Sequence, residues 1–327
     1  MRQDRLVHLV ARAVQRRAPL ALDQDTTAYR LLNGAADGVP GTTVDRYGAA
    51  LIINLYDEAD SRDVQALVDA LVDIVDTRAV YVKRRPTSAA RLSTAQVATL
   101  APSFPACGTP LDEEIVLERG LRFLIRPGGG FSVGLYLDMR EARGRLRARV
   151  AGRTVLNLFA YTCAFGVAAC AGGARRVLNL DASRPALQWG MENYGLNELD
   201  VDPYDFVHGD AFDWLNRIAR REQSFDVVIA DPPSFSTVKG RRFDASRDYT
   251  RLATACARVT APGGLLLCCS NEASLPRETF HAACLRGVRE AGHAARVDSY
   301  DRAPDLDFPR LPGDDGHLKL LWLVISD

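Results

Sequence analysis

Lysine is nearly missing from this chain. Only Lys83, Lys239 and Lys319 occur, and arginine supplies the rest of the 41 basic residues. The 41 acidic residues balance them, so neither sign of charge is in excess at pH 7. That balance argues against indiscriminate capture of nucleic acid by a net positive field. No CxxC pair occurs among the seven cysteines at positions 107, 163, 170, 256, 268, 269 and 284, and the five histidines are scattered. Neither a metal site nor a disulfide framework is therefore expected, and a reducing cytoplasm is the expected setting. No apolar run is long enough to cross a membrane, and no leader pattern is read at the N-terminus. No GxGxxG loop is present either, which leaves a dinucleotide pyrophosphate poorly supported.

What is present is an ordinary globular composition, 47% apolar and 25% charged over 327 residues. That length allows two domains or one sizeable core. Residues 1–20 carry apolar side chains at helical spacing. Thr42–Gly48 and Ala50–Tyr56 read as strands meeting at Tyr47-Gly48. Ser61–Val75 reads as an amphipathic helix with a Ser cap, Val80–Lys83 as a strand, and Glu114–Ile125 as two strands turning at Arg119-Gly120. These elements predict a small N-terminal α+β domain over residues 1–126. Pro127-Gly-Gly-Gly130 reads as the boundary.

From 127 to 327 strands and helices alternate: strands at Thr154–Leu158, Arg176–Leu180, Tyr204–His208, Phe225–Ala230, Gly264–Ser270 and Leu318–Ile325, with helices between. Alternation of this kind predicts an α/β fold with a doubly wound, Rossmann-like, mostly parallel sheet. Basic clusters stand at Arg12/Arg16/Arg17, Lys83-Arg84-Arg85, Arg140 to Arg149 and Lys239/Arg241/Arg242. The third reads as a solvated helix face. The second and fourth fall at strand ends or in loops, where substrate contact is more plausible, and arginine suits bidentate phosphate contact.

In such sheets ligands bind beyond the carboxyl ends of the strands. Four ends here carry suitable residues. The first is Asn157-Leu-Phe-Ala-Tyr-Thr-Cys-Ala-Phe-Gly166, with Asn157, Phe159, Tyr161 and Thr162 as candidates. The second ends in Asp181, followed by Ser183, and an acid there can accept from two ribose hydroxyls. The third is His208-Gly-Asp-Ala-Phe, where Asp210 can take an amino group, Ala211 opens the helix and Phe212 can pack on a base. The fourth is Asp231-Pro-Pro-Ser-Phe-Ser236. Its prolines remove backbone donors and stiffen the turn, so carbonyls and a carboxylate are offered as acceptors beside an aromatic ring. Taken singly, Asp181 and Asp210 read equally well as helix caps, and the Asp-Pro-Pro turn as a rigid loop.

Together the four ends resemble the class I S-adenosylmethionine-dependent methyltransferases. Within them the chain resembles the large-subunit ribosomal RNA base methyltransferases, through Asp37-Gly-Val-Pro-Gly-Thr-Thr-Val-Asp-Arg-Tyr-Gly48, Gly134-Leu-Tyr-Leu-Asp-Met-Arg140 and Asn157-Leu-Phe-Ala-Tyr-Thr162. The resemblance spans about residues 30 to 327. It implies S-adenosyl-L-methionine as cofactor, with Tyr136 and Arg140 beside it, and an N-terminal domain that contacts RNA. It implies 23S ribosomal RNA or a large-subunit assembly intermediate as partner, and a homodimer is allowed. Members often carry an extra N-terminal RNA-binding domain of the PUA type; with the Asp-Gly-Val-Pro-Gly motif at residue 37, none is expected here.

The acceptor atom turns on the strand ending Cys268-Cys-Ser-Asn271-Glu272. Cytosine carbon 5 needs a thiolate to attack the ring. In the cytosine-modifying members a Cys follows this strand; here Asn271 stands at that position, and Cys268 and Cys269 lie on the strand itself. Asn271 with the Asp231 turn resembles the guanine-N7 branch, where the ring nitrogen already has its lone pair. Asp231, Pro232, Phe235 and Asn271 are then the catalytic candidates, with Pro233, Ser234, Lys239 and Arg241 toward the substrate. An exocyclic amine suits the same turn, and a cytosine-5 enzyme or a small-molecule or protein methyltransferase stays open. The segment 236–249 is expected to be a mobile loop over the site.

Overall fold

The computed structural model of the chain describes residues 2–57, 64–86, 92–238 and 241–327. Contacts divide it into two compact units. One is Met1–Arg140 with Pro304–Asp314; the other is Glu141–Ala303 with Asp315–Asp327. The expected boundary at 127 thus moves to 140, and the distant segment Pro304–Asp314 rejoins the N-terminal unit. Ion pairing explains both shifts. Arg140 is buried, and its two terminal nitrogens each donate to Asp307 at 2.8 Å. Arg17 donates to the Asp307 carbonyl, and Asn33 to the Pro309 carbonyl.

The N-terminal unit opens with helices α1 (Arg2–Arg16) and α2 (Ala18–Ala21). Strands β1 (Ala28–Asn33), β2 (Thr42–Tyr47) and β3 (Ala50–Tyr56) form an antiparallel meander. Helix α3 (Val64–Ile74) then leads to β4 (Ala79–Arg85), parallel to β3, and β5 (Cys107–Gly108) follows α4 (Thr94–Leu100). The Ser61 cap expected for α3 lies outside the described residues. Gly48 turns β2 into β3 at a φ of 60°, a conformation that costs glycine nothing. Val10 and Ala13 of α1 and Leu67, Val68 and Leu71 of α3 pack on Leu31, Val44, Leu51 and Ile53. A polar chain links four strands: Arg30 donates to Asp45, Asn54 donates to Asp45, and Arg85 donates to Asn54. Lys83 is buried, donates to the Gly130 carbonyl, and is pushed down to about 7 by burial and by Arg85. In the Lys83-Arg84-Arg85 cluster only Arg84 is exposed, so the substrate-contact reading fails for Lys83 and Arg85. Strands β6 (Glu114–Glu118) and β7 (Leu121–Ile125) form the expected hairpin.

In the second unit α5 (Arg140–Arg147), which begins at the dividing residue, precedes β8 (Thr154–Leu158). Then follow α6 (Ala164–Ala171), β9 (Arg176–Asp181), α7 (Arg184–Leu196), β10 (Phe206–His208), α8 (Ala211–Arg220) and β11 (Phe225–Ala230). Next come β12 (Phe235–Val238), β13 (Arg241–Asp244), α9 (Ala245–Ala257), β14 (Thr260–Ser270), α10 (Arg277–Glu290), β15 (Ala294–Asp301) and β16 (Lys319–Ser326). The seven-stranded sheet runs β10-β9-β8-β11-β14-β16-β15, with β16 alone running against the other strands. Alternate residues of its central strands, Leu156 and Leu158, Val228 and Ala230, Leu266 and Cys268, pack with α8, α9 and α10 through Leu215, Leu252 and Phe280. The opposite residues meet α6 and α7, which makes the sheet doubly wound as expected. On that side Asn157 donates to Asn179, and Asn179 to the Tyr194 hydroxyl. Gly166 is required there, since a Cβ would fall 2.3 Å from Asn179 Oδ1.

Several elements escape the sequence reading: β1, α4 and β5 in the N-terminal unit, and β12, β13, α10 and β15 in the second. The expected mobile loop at 236–249 is corrected: Phe235–Val238 pairs antiparallel with Arg241–Asp244, and α9 already begins at Ala245. Lys239 lies outside the described residues.

Removing Asp307 strands a buried guanidinium. Asp307→Ala should cost about 3 kcal/mol or more, read as a fall in the urea midpoint. The double variant Arg140→Met/Asp307→Leu should recover much of that loss; equal destabilisation would mean that the pair is not the source.

Candidate active site

The loop between β8 and α6 is built from an unusual run of backbone angles. Phe159, Tyr161 and Cys163 all have positive φ, at 57°, 48° and 58°. For side-chain-bearing residues each such conformation costs on the order of 1 kcal/mol or more, so neighbours must hold it. They do. Ala160 N–H donates to the Leu180 carbonyl at 3.0 Å, and Cys163 N–H to the Ala160 carbonyl at 2.7 Å. Tyr161 N–H donates to Asp181 Oδ2 at 2.8 Å. Behind the loop, Asn193 of α7 donates to the Thr162 carbonyl at 2.9 Å.

Asp181 ends β9 and is the hinge of the site. One carboxylate oxygen takes Tyr161 N–H and the other takes Ser183 N–H at 2.7 Å. Burial pushes its carboxyl above the usual range, and these amides offset only part of that push. Gly209 N–H, after β10, donates to the Asp181 carbonyl. Three adjacent strand ends are therefore fastened at one residue. Asp210 is buried and caps α8 by accepting from Asp213 N–H, as the capping reading allowed. Phe212 follows, half-buried, with the Arg251 guanidinium 4.3 Å over its ring. Phe243 of β13 is buried between Phe159 and Phe212, at 6.3 and 6.1 Å between ring centres.

The fourth end joins β11 to β14. Tyr249 donates toward the carbonyls of both Ala230 and Cys269, at 3.2 and 2.7 Å. Ser234 Oγ donates to Asn271 Oδ1 at 3.0 Å, so the Asp231-Pro-Pro turn and the end of β14 form one surface. On it Asp231 is half-buried, Pro232 buried, Pro233 exposed and Phe235 exposed, with Arg242 at 5.6 Å over the Phe235 ring. Only the backbone of Arg241 is described, as the first residue of β13. Among the described residues no cluster of His, Cys, Asp and Glu is placed to hold a metal ion.

A family described as S-adenosylmethionine-dependent methyltransferase matches residues 30–321. The chain belongs to that family. YwbD of Bacillus subtilis (strain 168), provisionally named a ribosomal RNA large subunit methyltransferase, is 34% identical over 275 residues, covering 83% of this chain and 67% of its own length. The ribosomal RNA large subunit methyltransferase I of Salmonella newport (strain SL254) is 32% identical over 297 residues, covering 90% of this chain and 72% of its own length. Among solved structures, SMU.776 complexed with SAH superposes with a TM-score of 0.87 at 26% identity, covering 98% of this chain and 81% of that one.

The protein is thus an S-adenosylmethionine-dependent methyltransferase, and its strand ends fit that cofactor's chemistry. When bound, the sulfonium supplies an electrophilic methyl group. Asp181 is the residue suited to hold ribose hydroxyls, because its carboxylate is fixed by two amides in a partly dry setting. Asp210 and the half-buried Phe212 suit the base, with Ala211 contributing backbone alone since it is buried. Phe159 and Tyr161 line the strained loop. Four candidates change. Asn157 is buried and committed to Asn179, and Thr162 is buried beneath the loop, so both shape the loop from behind. Ser183 caps α7 by accepting from Ala186 N–H. Arg140 is buried against Asp307 in the N-terminal unit and leaves the cofactor set. Tyr136 belongs to that unit too, half-exposed, with its hydroxyl 2.9 Å from Ser132 Oγ. Sequence reasoning missed Phe243, Arg251 and Glu272, whose only signal was their nearness in the chain to the Asp-Pro-Pro turn or to Asn271.

Asp181→Ala should weaken binding of S-adenosylhomocysteine about 10- to 100-fold by calorimetry, the worth of charge-assisted hydrogen bonds. Because burial raises the Asp181 carboxyl, the wild-type affinity should fall as pH drops while still above the ordinary carboxylate range. Asp181→Asn should flatten that profile; an unchanged profile would remove Asp181 from the cofactor.

Proposed function

We propose that this enzyme methylates a base of 23S ribosomal RNA, at a ring nitrogen of guanine. The relatives named for the large ribosomal subunit support the RNA. The Ser234–Asn271 hydrogen bond supports the atom, since it puts an amide beside the acceptor-rich turn where a cytosine enzyme would carry its nucleophilic thiol. The two nearby thiols do not replace it. Cys268 and Cys269 are fully buried within β14, and Cys268 packs in the apolar core. A buried thiol behaves as a small hydrophobe.

Guanine N7 needs positioning, not activation. In this reading Phe235 stacks on the base, the Pro232 carbonyl and Asp231 accept from its donor edge, and the carboxylate offsets the positive charge that the ring gains. Pro233 and Ser234 shape the turn, while Arg242 is available to a phosphate. Lys239 and Arg241 remain proposed phosphate contacts on their sequence position. A guanine exocyclic amine is the second reading, because its two hydrogens also suit two acceptors. Free 23S ribosomal RNA and large-subunit assembly intermediates are both within the proposal, in the cytoplasm.

Mass mapping of ribosomal RNA from a strain lacking the gene should show one unmethylated guanine in 23S RNA, restored by the purified enzyme with S-adenosylmethionine. Loss of a methyl group from cytosine, or no change in any ribosomal RNA, would overturn the proposal. Cys268→Ala and Cys269→Ala should each keep kcat within about fivefold of wild type, in line with thiols that only pack. A loss of 1,000-fold or more would instead mark a covalent catalyst.

A further inference from the structure

Glu272 is held far more tightly than a half-exposed loop residue needs to be. Its N–H donates to Ser270 Oγ at 3.3 Å. Its carbonyl accepts from the buried Lys319 Nζ at 2.8 Å and from Leu275 N–H at 3.2 Å. Its Oε1 accepts from Ser274 N–H at 3.0 Å and from Ser274 Oγ at 2.6 Å. Lys319 is one of three lysines in the chain. It faces Ser270 across the β14–β16 pair and spends its charge on the Glu272 and His317 carbonyls. Burial alone raises the Glu272 carboxyl, but the hydrogen bonds led by those from Ser274 outweigh it and leave the group below its usual range, hence ionised at neutral pH.

The neighbour is equally defined. Asn271 is exposed, and its Oδ1 is taken by Ser234, which leaves Nδ2 as its donor. A fixed donor therefore stands next to a fixed, charged acceptor at the end of β14, joined through Ser234 to the Asp231 turn. Guanine shows an O6 acceptor beside an N1–H donor on its Watson–Crick edge; adenine and cytosine show a donor beside an acceptor. With a purine held so that N7 faces the transferred methyl group, the amide and carboxylate of Asn271-Glu272 complement the O6 and N1–H edge of guanine and oppose the amine and N1 edge of adenine.

We infer that Asn271 and Glu272 are the guanine-specificity determinants of this enzyme, Asn271 Nδ2 donating to O6 and Glu272 accepting from N1–H. This rests on the guanine reading above and deepens it. Discrimination arises mainly by exclusion: a base that turns its N1 lone pair toward an ionised carboxylate loses a hydrogen bond and meets repulsion. Lys319 is a positioning residue, acting through the Glu272 carbonyl.

The test uses the full-length enzyme and an RNA fragment carrying the mapped nucleotide, either as guanine or as 2-aminopurine. The analogue keeps N7 and the 2-amino group but lacks O6 and N1–H. Wild type should methylate the guanine fragment on the order of 10- to 100-fold faster in kcat/KM. Glu272→Gln should shrink that ratio severalfold, in part by gaining on 2-aminopurine, since a glutamine amide can donate to N1. A merely structural role would lower both rates and leave the ratio unchanged, which would overturn the inference while the guanine reading stands. Should the Gln variant turn over neither fragment, 2-aminopurine fluorescence measures binding to the S-adenosylhomocysteine complex without turnover. Tighter binding of the analogue than by wild type supports the inference, and equal or weaker binding overturns it. If mapping finds a nucleotide other than guanine, the guanine reading fails and the inference with it.

Discussion

A single carboxylate organises the catalytic unit. Asp181 closes β9, yet its oxygens serve residues on both sides, Tyr161 in the loop after β8 and Ser183 at the start of α7. Its carbonyl takes Gly209 from the loop after β10. Parallel strands end at a common edge with their last carbonyls and amides unpaired, and those groups must find partners. Here Asp181 supplies several at once. The left-handed residues Phe159 and Tyr161 are stable only because an acceptor waits for the intervening and following amides. The strain and the carboxylate belong to one device: the backbone turns sharply after β8, and the group that holds the turn is the one proposed to hold the cofactor's ribose.

The same economy recurs at β11 and β14. Tyr249, Ser234 and Lys319 each connect a strand end to a neighbouring segment through one polar atom, and all three contacts converge on residues 230–234 and 269–272. The surface proposed to face the base is accordingly made of backbone carbonyls, proline rings, an amide and carboxylates, with little side-chain freedom. For a reaction that relies on alignment, fixed geometry is the main contribution a protein can make. The aromatic row Phe159–Phe243–Phe212 ties the β12–β13 hairpin to the loop after β8 and the start of α8.

Much of this was legible in the sequence because the signals were local. β8, β11 and α8 fall at the residues their periodicity predicts, and the four strand ends stand in the expected order. What failed was set by partners distant in the chain. Arg140 reads as a cofactor contact until Asp307, 167 residues away, claims both of its nitrogens. Asn157 reads as a loop donor until Asn179 takes its amide. Lys83 reads as a surface cation until burial shows it held by the Gly130 carbonyl. β15 carries few buried residues, so it lacks the apolar run that marks a core strand, and α10 follows a proline without the side-chain cap that announces a helix.

Arginine dominance takes on a different meaning once the partners are known. A GC-rich genome or a phosphate surface would each explain an arginine-rich chain. In the described residues many guanidiniums instead serve the fold: Arg17 on Asp37, Arg30 on Asp45, Arg140 on Asp307, and Arg145 on Asp298 and Asp301. Several of these are bidentate or forked across two acceptors, a geometry that lysine cannot supply from one nitrogen. The balanced net charge follows from this, because each such cation brings its own carboxylate. On the proposed reading, the Asp-Pro-Pro turn offers RNA few cations, the exposed Arg242 among them, so specificity has to come from the fit of a base rather than from bulk attraction.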